Sequence, residues 1–142
     1  MTTASPVSFA LLVVCTLIHY EILSVLKTSL NKTAIIPRRA KLLFVIFGAM
    51  FSHFLQITLF AAAYFLLRDK IGLGGFSGDF ADAFSSFLYF STETYTSLGF
   101  GDIYPLGAIR MLAGMEALTG LVMIGWTASF TYLEMAQYWV DS

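Results

Sequence analysis

Apolar residues gather into three long runs and one short one, separated by polar or glycine-rich stretches. Val7–Leu26, Leu42–Leu67 and Ile109–Leu133 each approach or exceed the ~20 apolar residues that cross a hydrocarbon core. Val7–Leu26 lacks a basic leader and an A-x-A-like cleavage site, so the pattern predicts a retained helix in an N-terminal segment 7–30. Phe80–Thr94 is apolar but too short to span, which predicts a re-entrant helix buried in protein at membrane depth. The expected fold is an all-α membrane protein with three transmembrane helices, a re-entrant helix and a loop. Its segments are an N-terminal helix (7–30), a loop (31–41), a second span (42–67), an outer turn region (68–79), a short helix (80–94), a loop (95–102) and a last span (109–133) with a short tail.

Charge orients this layout. Lys27, Lys32, Arg38, Arg39 and Lys41 cluster in and beside the first loop. The positive-inside rule makes that loop cytoplasmic, the N-terminus external and the C-terminus cytoplasmic. Ile71–Gly78 then reads as an external glycine-rich loop, with Asp79 as N-cap of the short helix and Asp82 in its first turn. His19 and Glu21 are expected at the interface, near the end of the first helix. The chain has 58% apolar and 12% charged residues and a net charge of −1, with mean hydropathy +0.78, as befits an integral membrane protein. There is no basic stripe for nucleic acid. The single cysteine, Cys15, forms no intrachain disulfide and is expected to pack as a small hydrophobe.

Between the short helix and the last span the chain reads T-E-T-Y-T-S-L-G-F-G-D, from Thr92 to Asp102. Glycine tolerates positive φ, so alternating glycine and non-glycine positions can turn successive carbonyls to one side. A row of such oxygens suits a bare monovalent cation. Ser97-Leu98-Gly99-Phe100-Gly101-Asp102 resembles the T-V-G-Y-G-D selectivity filter of potassium channels. Tyr89-Phe90-Ser91-Thr92-Glu93-Thr94 resembles the bacterial pore-helix pattern W-W-S-V-E-T, and Gly120 falls at the place of the family's inner-helix hinge. The resemblance covers roughly residues 85–130 and extends to small bacterial members of the potassium-channel family.

This resemblance implies a homotetramer in a lipid bilayer, with K+ as permeant ion and no cofactor. Carbonyls of Ser97, Leu98, Gly99 and Phe100, with Gly101 closing the run, would form stacked rings, and Ser97 Oγ would complete the innermost site. The macrodipole of the pore helix favours a cation at its C-terminal end. The resemblance also implies a Glu93–Asp102 carboxyl–carboxylate pair behind the filter. The alternative leaves Asp102 solvated and Glu93 bonded only to backbone. Phe100 and Phe90 replace a hydrogen-bonded tyrosine–tryptophan pair of bacterial relatives, which predicts an apolar cuff; Tyr89 keeps a hydroxyl within reach of Asp102.

In the last span Gly120 and Gly125 suit bending or close helix approach, and Leu121, Ile124 and Ala128 form a stripe that faces either the inner cavity or lipid. Thr119, Thr127 and Ser129 suit bonds to their own helix. An acid inside a span, Glu116, calls for a partner, with His53 and Gln56 of the second span as candidates for a structural or pH-sensitive tie. No arginine-rich voltage sensor occurs. Regulation would arise within the membrane or through an unidentified partner. Metal-ligand spacings such as H-E-x-x-H and a G-x-S-x-G nucleophile are absent, which argues against an enzyme. The leading expectation is a potassium-selective channel in a bacterial inner membrane. A weakly selective cation channel and a non-conducting accessory subunit stand as rivals.

Overall fold

A computed structural model describes residues 4–32 and 37–139. Four α-helices carry the architecture: α1 (Ala4–Lys32), α2 (Arg38–Leu66), α3 (Phe84–Tyr95) and α4 (Ile109–Trp139). Three of them are long and apolar enough to cross a membrane, over Pro6–Ser29, Ala40–Ile71 and Ile109–Gln137. Each long helix overshoots its apolar run. A 29-residue helix such as α1 rises about 43 Å, against a hydrocarbon core of about 30 Å, so its polar ends stay helical in the interfacial layers. Hydropathy marks the part of a helix that sits in lipid, not the helix itself.

Helix α3 starts four residues later than the apolar run. Asp79 is not its N-cap: Ala83 holds that position without a side-chain bond. The Asp79 N–H is already committed to the Asp102 carbonyl at 2.9 Å, and the Asp82 carboxylate pairs with Arg68. The guanidinium of Arg68 also lies 4.7 Å over the Phe80 ring, a cation–π contact that closes this corner.

The segment between α2 and α3 is also more ordered than a glycine-rich loop. Helix α2 widens into a π-turn over Leu67–Ile71, which ends at Gly72 in the left-handed region. Strand β1 (Gly74–Gly78) then pairs antiparallel with β2 (Ile103–Gly107), Gly74 opposite Gly107 and Gly78 opposite Ile103. A Cβ on Gly78 would collide with the Asp102 carbonyl, so the ribbon needs glycine there for close approach rather than for looseness. The two strands bracket α3 and the loop behind it, and so pin both ends of the re-entrant segment.

Beneath the ribbon lies the core. Phe60, Ala61 and Tyr64 of α2, Phe87 and Phe90 of α3, and Ile109 and Leu112 of α4 form one buried cluster. Phe76 of β1 inserts its ring edge-on between Tyr64 and Phe90, with centroids 5.6 and 4.9 Å away. Cys15 of α1 is buried in the same cluster, as a small hydrophobe should be. Helix α1 packs on both α2 and α4, which places it on the outside of the helix pair that flanks α3. His19 is therefore fully buried rather than interfacial, because α1 runs on for three more turns beyond it.

Candidate ion-conducting site

The chain leaves α3 at Tyr95 and turns through Thr96 and Ser97. From there the backbone alternates. Ser97, Gly99 and Gly101 have φ of 59°, 57° and 81°, and Leu98 and Phe100 between them do not enter the left-handed region. Ser97 is the sole non-glycine with positive φ among the described residues. For an L-residue that conformation costs about 1–2 kcal/mol, so neighbouring bonds must hold it. They do. The N–H groups of Leu98 and Gly99 both donate to the Glu93 carbonyl, at 2.9 and 3.3 Å, and the Phe100 N–H donates to Glu93 Oε2 at 3.2 Å.

Three consecutive amides thus face one residue. No peptide bond among the described residues is cis, and in a trans unit the C=O points opposite to the N–H. The carbonyls of Ser97, Leu98 and Gly99 therefore point away from Glu93. The result is a row of hard oxygens along one edge of the chain; one row by itself does not enclose an ion.

Two acids support this loop from different sides. Glu93 is buried, 3% exposed, and burial raises its carboxyl above the ordinary range. The Phe100 N–H pulls it back, and the Asp102 charge raises it further. Asp102 accepts from the Tyr89 hydroxyl at 2.8 Å and from the Ile103 N–H at 3.0 Å. That hydrogen bond holds the Tyr89 phenol up at about 12. The two carboxyls feel each other electrostatically, but the hydrogen bonds of Glu93 go to backbone and those of Asp102 to Tyr89 and backbone. The bonding is the alternative foreseen for Glu93, with Tyr89 added. Phe90 packs edge-on against Tyr64 and Phe76 behind α3, while Phe100 is 67% exposed on the protomer.

Residues 40–135, two thirds of the sequence, match the family described as "Ion channel". The chain belongs to the ion-channel family. It is also 36% identical over 81 residues to the inward rectifier potassium channel Kirbac3.1 of Paramagnetospirillum magnetotacticum. That match covers 56% of this chain and 26% of the relative, so the chain spans about a quarter of the length of the relative. No solved structure matches the chain.

Glu116 does not meet His53 or Gln56. It lies one side of α3, where Tyr64 donates to Oε2 and Ser91 bonds Oε1. Ser91 Oγ also reaches the Ile57 carbonyl at 2.8 Å. One hydroxyl proton cannot serve both acceptors. A neutral carboxyl satisfies the count, with Oε1–H donating to Ser91 while Ser91 donates to Ile57. Glu116 is thus tied to partners other than those expected, because Gln56 and His53 lie about two and about three turns of α2 away from Tyr64.

His53 and Gln56 meet α3 instead. His53 Nδ1 lies 2.9 Å from the Tyr95 hydroxyl, and Tyr95 donates to Gln56 Oε1 at 3.0 Å. Sequence reasoning missed Tyr95, Ser91 and Tyr64 as partners. The available signal was polarity inside apolar runs, which says that a partner exists but not which one. Thr119 and Ser129 do bond to their own helix, at Met115 and Gly125, whereas Thr127 reaches His53.

On α4, Gly120 is buried against the end of α3. A Cβ there would collide with the Tyr95 carbonyl, so close approach is one demonstrable need for this glycine. Gly125 faces open space, and Leu121, Ile124 and Ala128 are exposed on the protomer.

Proposed function

We propose that the protein is a potassium-selective channel that works as a homotetramer. Four copies would set the carbonyl rows of Ser97, Leu98, Gly99 and Phe100 around one axis, with Gly101 completing the filter and Ser97 Oγ at its inner end. Passive K+ flow follows, with no chemical step. The observation that carries this reading is the alternation of positive φ at Ser97, Gly99 and Gly101, with the intervening amides tied back to Glu93. In a ring, such a row replaces the hydration shell of a dehydrated cation. The similarity to a named potassium channel supports the choice of ion.

Other parts follow from that arrangement. The C-terminal end of α3, free of basic residues in its last turn, would direct partial negative charge at a central cavity. Leu121, Ile124 and Ala128 would line that cavity, and Gly120 and Gly125 would give α4 room to bend. The basic stretch between α1 and α2 would lie in the cytoplasm of a bacterial cell, which puts the filter outside and the end of α4 inside.

The test is ion flux in liposomes that hold the purified protein, with potassium or sodium gradients, barium as blocker and Gly99→Ala as control. An alanine at Gly99 would have to hold φ of 57°, so its filter should fail. Potassium flux without sodium flux, lost in the control, is the expected result. Equal fluxes would mean that serine at position 97 and the hydroxyl-free Phe100 loosen the sites, and the weakly selective reading wins. No flux from a verified tetramer would favour an accessory subunit.

A further inference from the structure

Six polar side chains from all four helices meet under the C-terminal end of α3, five of them in a ring. Besides the bonds of His53 and Gln56 to Tyr95, Thr127 Oγ1 lies 2.9 Å from His53 Nε2 and 3.2 Å from His19 Nε2. His19 Nδ1 lies 3.1 Å from Gln56 Nε2 and 3.0 Å from Ser52 Oγ. The chain of contacts is closed: Gln56, Tyr95, His53, Thr127, His19 and back to Gln56.

With the Gln56 amide oxygen turned to Tyr95 and its nitrogen to His19, proton counting gives this ring one direction. The Gln56 Oε1 carbonyl can only accept, so the one Tyr95 proton goes to it. Tyr95 then has only lone pairs for His53, which must donate from Nδ1. A neutral His53 accepts at Nε2, and Thr127 supplies that proton. Thr127 in turn accepts from His19 Nε2–H. A neutral His19 is left with an acceptor at Nδ1, which faces the Gln56 amide and the Ser52 hydroxyl, both donors. Gln56 places its other amide proton on Ser52 Oγ at 3.2 Å. With both imidazoles neutral and in opposite tautomers, every donor finds an acceptor, the Gln56 amide and the Ser52 hydroxyl sharing the one Nδ1 lone pair of His19. A fully satisfied buried network fixes a single arrangement of the elements that carry it.

We propose that His19 is a positioning residue for the filter, acting through this ring to hold Tyr95 and with it the end of the pore helix. The proposal rests on the reading of the protein as a selective channel. Tyr95 is buried and lies two residues before Ser97, where the filter begins. Its carbonyl sits against Gly120 and its hydroxyl in the ring, so both ends of the residue are fixed. Helix α1 thereby becomes part of the permeation machinery rather than an appendage to it.

Acid opens the ring. A proton on His19 Nδ1 sets two donors, the imidazole and the Gln56 amide, against each other. A proton on His53 Nε2 leaves the Thr127 hydroxyl without its acceptor. The titratable groups facing the ring are the two histidines on α1 and α2, Tyr95 on α3, Cys15 on α1 and Glu116 on α4. Neither Cys15 nor Glu116 is hydrogen-bonded to an imidazole, and the Glu116 carboxyl is engaged by Tyr64 and Ser91.

The experiment compares wild type, His19→Phe and His19→Gln in liposomes for the ratio of potassium to sodium flux between pH 5 and 8. The same samples are read by nitrogen-15 NMR of the imidazoles. His19→Phe should lower the ratio about 2- to 10-fold, the equivalent of one lost hydrogen bond. His19→Gln, whose amide can still donate to Thr127, should keep the ratio near wild type and flatten its decline in acid. At neutral pH the NMR should show Nδ1–H on His53 and Nε2–H on His19. An unchanged ratio and pH profile in His19→Phe, or protonated or like tautomers in wild type, overturns the proposal. A wild type without potassium preference overturns the channel reading instead, and the tautomers then decide the ring alone.

Discussion

Replacing Glu116 tests the reading of an intramembrane acid as a neutral hydrogen-bonding group. The residue is fully buried, and its partners Tyr64 and Ser91 come from α2 and α3. Gln has the shape of the protonated acid: its amide nitrogen donates to Ser91 and its oxygen accepts from Tyr64. Glu116→Gln should therefore change stability by less than the ~0.5–1.5 kcal/mol net worth of one hydrogen bond. Glu116→Leu keeps the volume but strands the Tyr64 hydroxyl, which is fully buried. That costs about 1–3 kcal/mol per protomer. Ser91 adds nothing to this cost, since it retains the Ile57 carbonyl at 2.8 Å. Adding Tyr64→Phe removes the stranded group, and the double variant should regain most of the loss, because removal of both partners of a buried bond is nearly neutral. The assay is denaturant or heat unfolding of the solubilised protein for the four chains of this cycle and for Glu116→Gln. The reasoning is refuted if Gln costs as much as Leu, which would mean that a negative charge is required. It is equally refuted if the Leu and Phe effects simply add, because two groups that share a bond must couple.

Two further outcomes follow from the same contacts. Gly120→Ala should destabilise the protein by about 1–3 kcal/mol or more and abolish flux, since its Cβ meets a backbone carbonyl that cannot rotate away; Gly125→Ala, in open space, should leave the unfolding midpoint near that of wild type, and equal midpoints for the two variants would refute the close approach of α4 to α3. Glu93 is a carboxyl raised by folding, so the stability it lends is present below its ordinary value of 4.5 and is lost as pH rises through the raised one. Unfolding midpoints of wild type should fall as pH rises above about 4.5 where those of Glu93→Gln stay level, and parallel pH profiles would refute the assignment.

The sequence by itself determined the parts that depend on local chemistry. Apolar runs set the spanning helices, because burial in lipid is read residue by residue. The spacing of Gly99 and Gly101 set the alternation of the loop after α3, because φ is a local property. Helix ends were less legible, since polar turns stay helical beyond the hydrocarbon. The ribbon of β1 and β2 was hidden, because its glycines serve a close approach between segments far apart in sequence, a need that exists only once the strands meet. The partners of buried polar groups were decided by tertiary structure alone. His53, Gln56 and Glu116 each announced a need for hydrogen bonds, and which group met that need depended on helix rotation and depth. Those set Glu116 against Tyr64 and Ser91, and brought His19 from the interface, where a count of apolar residues had put it, to the ring beneath Tyr95.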